Sequence, residues 1–231
     1  MKLPVFGATD IRILELLVAN RTPMLDTLSH FLLASDLRIG VLAALLLYTW
    51  LAPTGTWAGN EDRVARDCAA IVLAMFACFV LRHAVPREPR PRLVLPFEFP
   101  PLNGLPHLLD FASFPSDTSC LAGAITITVL LASKRLGWCA AAWTVFGVAL
   151  PRAYFGYHYA SDLLAGVVIG ATVAWAASYP RLLPLGPVPR VLQDWHEKHQ
   201  TLGALALTLV AYQIGTMFPL LQLIGSQLRV R

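Results

Sequence analysis

Residues 64–83 form a nearly continuous apolar run, broken only by Arg66 and Asp67 near its start and by Arg82 and His83 at its end. A helix needs about 20 such residues to cross the hydrocarbon core of a bilayer. Further apolar runs lie at about 39–52, 118–133, 137–150, 159–178 and 202–223. In lipid every backbone N–H and C=O must be paired inside the structure, so spanning runs of this kind fold as helices. The pattern predicts an all-α, polytopic membrane helical bundle of about six spanning helices. Composition agrees. The 231 residues are 56% hydrophobic and 14% charged, against about 25% charged in soluble domains, and mean hydropathy is +0.59.

The net charge of +4 is modest, and the Lys and Arg residues are scattered around the apolar runs. That distribution suits loops near lipid headgroups and argues against a nucleic-acid partner. Cys68, Cys78, Cys120 and Cys139 fall in apolar segments without close pairing, so they read as small core residues, not as a disulfide frame or a metal site. Lys2 is followed by Asp10, Arg12 and Glu15, and no cleavable signal peptide is expected.

Residues 8–35 mix apolar and charged positions at helical spacing and predict one or two amphipathic helices lying in the membrane interface. Asp36 and Arg38 mark the mouth of the first span or a local ion pair. Asp67 is expected to snorkel or to be buried with Arg66. The segment 84–116 carries Pro86, Pro89, Pro91, Pro96, Pro100, Pro101, Pro106 and Pro115 and predicts a loop, not a regular helix. Lys134 and Arg135 separate the runs at 118–133 and 137–150 and predict a tight hairpin there. The organisation that follows is an interfacial segment at 1–36, a core bundle at 37–180, and a polar linker with an extra membrane helix at 181–231. The loops after residue 83 and before residue 158 are separated by two spans, so they emerge on the same side.

Three polar stretches fall on that side. The first holds Arg82, His83, Arg87, Arg90 and Arg92 among prolines. The second, Pro115-Ser116-Asp117-Thr118, stands where a helix begins; helix-start N–H groups form a ready anion site, and Ser116 adds a hydroxyl. The third holds Arg152, His158 and Asp162 at the mouth of the run 159–178. A carboxylate four residues from an imidazole can fix its tautomer and leave the other nitrogen free to attack. The arginine fork suits phosphoryl oxygens. Plain roles compete with these: an interfacial histidine, a solvated aspartate, N-capping side chains, and a positive collar beside headgroups.

The order and spacing of these stretches resemble the membrane type 2 phosphatidic acid phosphatase family, and within it the undecaprenyl-diphosphatase branch, over roughly residues 25–178. The family carries Lys-x6-Arg-Pro, Pro-Ser-Gly-His and Ser-Arg-x5-His-x3-Asp. Here Arg90-Pro91 matches the first, with His83 at the lysine position. Pro115-Ser116 matches the second, with Asp117 replacing Gly. Arg152, His158 and Asp162 match the third, with Pro151 where Ser is usual.

The resemblance implies a metal-free reaction without cofactor. His158 attacks phosphorus, Asp162 orients it, Arg152 completes the catalytic set, and Arg90 and Ser116 hold the phosphate with Asp117 and His83 at matching positions. It implies a lipid phosphate or diphosphate substrate in the bilayer, a bacterial inner membrane, and a site on the periplasmic side. One position departs. The family's second-motif histidine is the general acid, and Thr118 stands there; a hydroxyl is far too weak an acid for that work. The chain is then either a binding-only protein, or an enzyme with a substitute acid such as His83 or His107, or an enzyme whose leaving group needs little protonation. A diphosphate supplies such a group, because its leaving group departs as a stabilised phosphate anion. The rival functions are a lipid phosphotransferase of the lipid A type, a non-catalytic lipid-phosphate binder and, more remotely, a transporter, although the charges sit at helix mouths and not at mid-span.

Overall fold

The computed structural model describes residues 7–51, 61–86, 88–103, 112–179 and 199–215. Arg87 and His107 lie outside them, as do most of the polar stretch after residue 180 and the end of the last apolar run. The order is α1 (Ala8–Ala19), α2 (Pro23–Ala34), α3 (Leu37–Leu51), α4 (Glu61–Ala84), the one-turn α5 (Pro91–Val94), α6 (Asp117–Ala132), α7 (Lys134–Trp143), a π-helical stretch Thr144–Ala149, α8 (Leu150–Tyr154), α9 (Ala160–Ala177) and α10 (Gln200–Gly215). The all-α class holds among these residues, with a single antiparallel bridge between Pro89 and Ala112.

Among the described residues two helices, Arg63–Ala84 and Ala160–Ala177, are long and apolar enough to cross a bilayer alone, and α2 with α3, bent by 61° at their join, reach that length and apolarity only when taken together. α6 is apolar but shorter. Large apolar side chains such as Phe76, Phe79, Trp138, Phe146 and Leu164 are exposed on the outer faces. A soluble protein does not carry so many, and lipid is the solvent they suit.

α6 lies in the centre. Cys120, Leu121, Ala122, Ala124, Ile125 and Val129 are buried on all its sides, against Ile39, Leu42 and Leu46 of α3 and Ala70, Ile71 and Ala74 of α4. Its closest partner is α9, where glycines set the approach. A Cβ on Gly170 would stand 1.9 Å from the Cys120 carbonyl oxygen, and one on Gly166 would stand 2.5 Å from that of Ser116. Small residues let helix backbones close up in this way.

Several local expectations change. Lys134 and Arg135 are not a loop: they open α7, and Ser133 alone ends α6 and caps α7 through its hydroxyl. The proline segment is not wholly irregular, because Pro91 at the first helical position starts α5, where its fixed φ and missing N–H cost nothing. Asp67 is buried, and its partners are the Trp50 indole at 3.0 Å and Arg63 at 3.8 Å, one turn back, in place of Arg66. Cys139 is exposed, unlike buried Cys78 and Cys120.

Candidate active site

The loop at residues 155–159, between α8 and α9, carries His158, which is 2% exposed. Gly156 makes the bend with φ +68, and a side chain there would strike Phe99. Nδ1 of His158 lies 2.8 Å from the Ser113 carbonyl oxygen. A carbonyl only accepts, so Nδ1 carries the proton and Nε2 presents its lone pair. That lone pair faces Nη1 of Arg90 at 3.2 Å, and the same Nη1 donates to the Tyr157 carbonyl at 3.0 Å. Arg90 stands just before α5 and is 8% exposed. Arg90 of the proline segment and His158 of the later loop thus meet at one point.

Asp162 is fully buried in the first turn of α9. Its Oδ2 lies 3.8 Å from Nδ1 of His158, accepts the Tyr159 N–H at 2.9 Å and accepts the Ser113 hydroxyl. The expected direct imidazole–carboxylate bond is therefore corrected: the Ser113 carbonyl takes the imidazole N–H. The helix start explains this, since its unpaired N–H groups draw the carboxylate toward Tyr159. Asp162 acts on His158 as a charge and through Ser113.

Arg152, in α8, has its Nη2 3.9 Å from Asp117 Oδ1, while its buried Nε has no hydrogen-bond partner among the described residues. Arg82, from the last turn of α4, reaches the other Asp117 oxygen at 3.6 Å. Asp117 is thus a counter-ion between two guanidiniums, and its carboxylate offers no donor to a phosphate. Ser116 caps α6, accepting from the Ser119 N–H at 3.4 Å, and its own N–H meets the Asp162 carbonyl at 3.3 Å. Thr118 is fully buried, and its hydroxyl donates to Asp117 Oδ1 at 3.3 Å.

His83 does not join these residues: its ring stacks on Phe79 with centroids 4.3 Å apart, and its Nδ1 lies 2.8 Å from the Phe79 carbonyl oxygen within its own helix.

Burial pushes the His158 pKa below its ordinary value; Arg152 and Arg90 push the same way, and Asp162 opposes them. The nucleophilic neutral imidazole is thereby favoured. Glu88, in the proline segment, is pushed up to about 7 by burial and by the charges of Asp162 and Asp10.

Sequence reasoning missed Ser113. Its N–H donates to the Glu88 carbonyl at 2.7 Å, its carbonyl holds His158 and its hydroxyl holds Asp162. Two of these groups are backbone, which every residue type owns, so no side-chain signal marks the position.

A profile of the PAP2 superfamily matches residues 64–181. The chain is 34% identical over 161 residues to undecaprenyl-diphosphatase BcrC of Bacillus subtilis (strain 168), covering 68% of this chain and 76% of that protein. It is 38% identical over 64 residues to the bacitracin transport permease protein BcrC of Bacillus licheniformis, covering 27% of this chain and 30% of that one. Among solved structures, Aquifex aeolicus LpxE superposes with a TM-score of 0.56 at 22% identity, covering 76% of this chain and 98% of that chain. At that identity the likeness concerns the fold alone.

Proposed function

The chain belongs to the PAP2 superfamily, and we propose that it is a metal-independent phosphatase that removes the terminal phosphate of a prenyl diphosphate, undecaprenyl diphosphate first among them. The observation that carries this reading is the His158 geometry: Nδ1–H held by a carbonyl at 2.8 Å, with Nε2 unprotonated and accepting from Arg90 at 3.2 Å, a bond the arriving phosphoryl group takes over. The terminal phosphate sits between Arg90 and Arg152, and the unpartnered Nε of Arg152 supports an anion there. Nε2 attacks phosphorus, the P–N bond forms, and the bond to the bridging oxygen breaks. The lipid leaves as its monophosphate. Water then attacks the phosphohistidine, the P–N bond breaks, and inorganic phosphate departs while Nε2 regains its lone pair. Arg90 and Arg152 lower the barrier by offering fixed positive charge to the equatorial oxygens.

Thr118 fits a diphosphate better than a monoester. An alkoxide leaving group needs a proton, and general acid help is worth about 10²–10⁴-fold. A lipid phosphate has a second pKa of about 6 and leaves largely unprotonated. The cellular setting that follows is a bacterial inner membrane with the site on the periplasmic side. Lys134 and Arg135, at the end of α6 remote from Ser116, support that orientation, because positive charge favours the cytoplasmic side.

The test is phosphate release by the purified chain from labelled undecaprenyl diphosphate and from phosphatidic acid. The diphosphate is expected to turn over faster, His158→Ala to abolish release, and Thr118→His to raise monoester turnover. Faster release from phosphatidic acid by the unaltered chain sinks the reading. Label on an acceptor lipid instead of free phosphate identifies a transferase.

A further inference from the structure

α1 looks like an interfacial helix, and its charged residues Arg12 and Glu15 are exposed as that role requires. Asp10 is the exception. It is 1% exposed, and both of its oxygens are engaged on another helix: Oδ1 accepts the Ser161 N–H at 2.9 Å, and Oδ2 accepts the Ser161 hydroxyl at 2.5 Å. A carboxylate is buried at heavy cost unless it is bonded in this way.

Ser161 lies between His158 and Asp162, in the first turn of α9. The N–H groups of that turn have no partners within their own helix. Asp162 takes that of Tyr159 and Asp10 takes that of Ser161, so the turn is capped by one carboxylate of its own and one brought from the far end of the sequence. The negative charge also faces the positive end of the α9 dipole. One turn further along α1, fully buried Leu14 packs with Ala153, Tyr159 and Leu163. α1 therefore grips the loop of His158 on both sides, at Ala153 before it and at Ser161 and Leu163 after it. The stretch that matches the family profile begins only at residue 64.

We infer that α1 belongs to the catalytic apparatus, and that Asp10 is a positioning residue that fixes the first turn of α9 and with it the register of His158 against Asp162 and Arg90. This rests on the phosphatase reading of that site. Arg90, Arg152 and Ser116 come from other elements, so loss of Asp10 disturbs the chemical step more than phosphate binding.

Two readouts on the purified full-length chain test it. The first is hydrolysis of undecaprenyl diphosphate by Asp10→Ala, Asp10→Asn, Ser161→Ala and the Asp10→Ala/Ser161→Ala pair. Asp10→Ala is expected to lose about tenfold to a hundredfold in kcat with little change in KM. Asp10→Asn keeps most of kcat, because an amide oxygen still accepts the Ser161 N–H and its NH2 donates to the hydroxyl. The pair is no worse than Asp10→Ala alone. Wild-type kcat in Asp10→Ala, or losses that add in the pair, overturn the inference. If Asp10→Ala does not fold, the Asp10→Asn and Ser161→Ala values decide, near wild type for the first and intermediate for the second. The second readout is amide hydrogen exchange over residues 158–163, expected to quicken in Ser161→Ala and in Asp10→Ala but not in Asp10→Asn. It is independent of turnover. A wild-type chain that releases no phosphate removes the phosphatase reading, while unchanged exchange in both Asp10→Ala and Ser161→Ala removes the positioning role.

Discussion

At 2.8 Å the Ser113 carbonyl holds the Nδ1–H of His158, and the Ser113 hydroxyl holds Asp162. The tautomer of the proposed nucleophile is thus set by a backbone oxygen, and the serine side chain serves the carboxylate behind it. Ser113→Ala leaves the carbonyl in place and strips Asp162 of a donor. A hydrogen bond to a charged group is worth about 1.5–3 kcal/mol and among the described residues Oδ2 keeps only the Tyr159 N–H, so phosphate-release assays should show kcat/KM lower by roughly tenfold, with the acid limb of the profile still present. That limb has a sign. The attacking imidazole must be neutral, and its pKa lies below the ordinary 6.5 because burial and two arginines disfavour the charged form. Proton binding therefore extinguishes activity only below pH 6.5. Asp162 pulls the pKa up, so Asp162→Asn moves the limb to still lower pH. A kcat/KM profile with its midpoint above 6.5, or one shifted upward in Asp162→Asn, contradicts this account.

Between elements, the decisive contact is α6 on α9. Their helix starts bring Ser116 and Asp162 within one hydrogen bond, 3.3 Å from N–H to carbonyl. Gly170 and Gly166 make the approach possible, and the nearest atom a new Cβ would meet at each is a backbone oxygen, which cannot rotate away. Gly170→Ala is expected to separate the two helices, with a stability loss of about 1–3 kcal/mol from overpacking and a fall in phosphate release. Gly40→Ala, in α3, is the control: its Cβ meets nothing within 4 Å, and alanine is the better helix former. Thermal unfolding in detergent with parallel activity assays separates them. Equal midpoints for the two variants would show that the α6–α9 crossing tolerates a side chain. α1 makes the same point from another side, since a helix of interfacial pattern sends one carboxylate inward to the start of α9.

For the whole molecule, apolar run length announced the bundle, and the described helices follow the runs closely: α3 at Leu37–Leu51, α4 at Glu61–Ala84 and α9 at Ala160–Ala177. Those features are legible because hydrophobicity and helical period are local properties of residue type. Arg90, Ser116, Arg152, His158 and Asp162 were legible for a related reason, since charge and nucleophilicity belong to side chains that a sequence spells out. The partners were not. His83 shares the spacing of the first polar stretch, yet the direction of its helix face turns it toward Phe79. Asp67 found Trp50 and Arg63, Asp10 found Ser161, and His158 found the carbonyl of Ser113. The amino-acid sequence determined an α-helical membrane protein with arginine, serine, histidine and aspartate side chains at one set of helix mouths. Only the tertiary structure decided which groups touch, because those contacts join distant segments through backbone atoms and buried faces that leave no mark on residue identity.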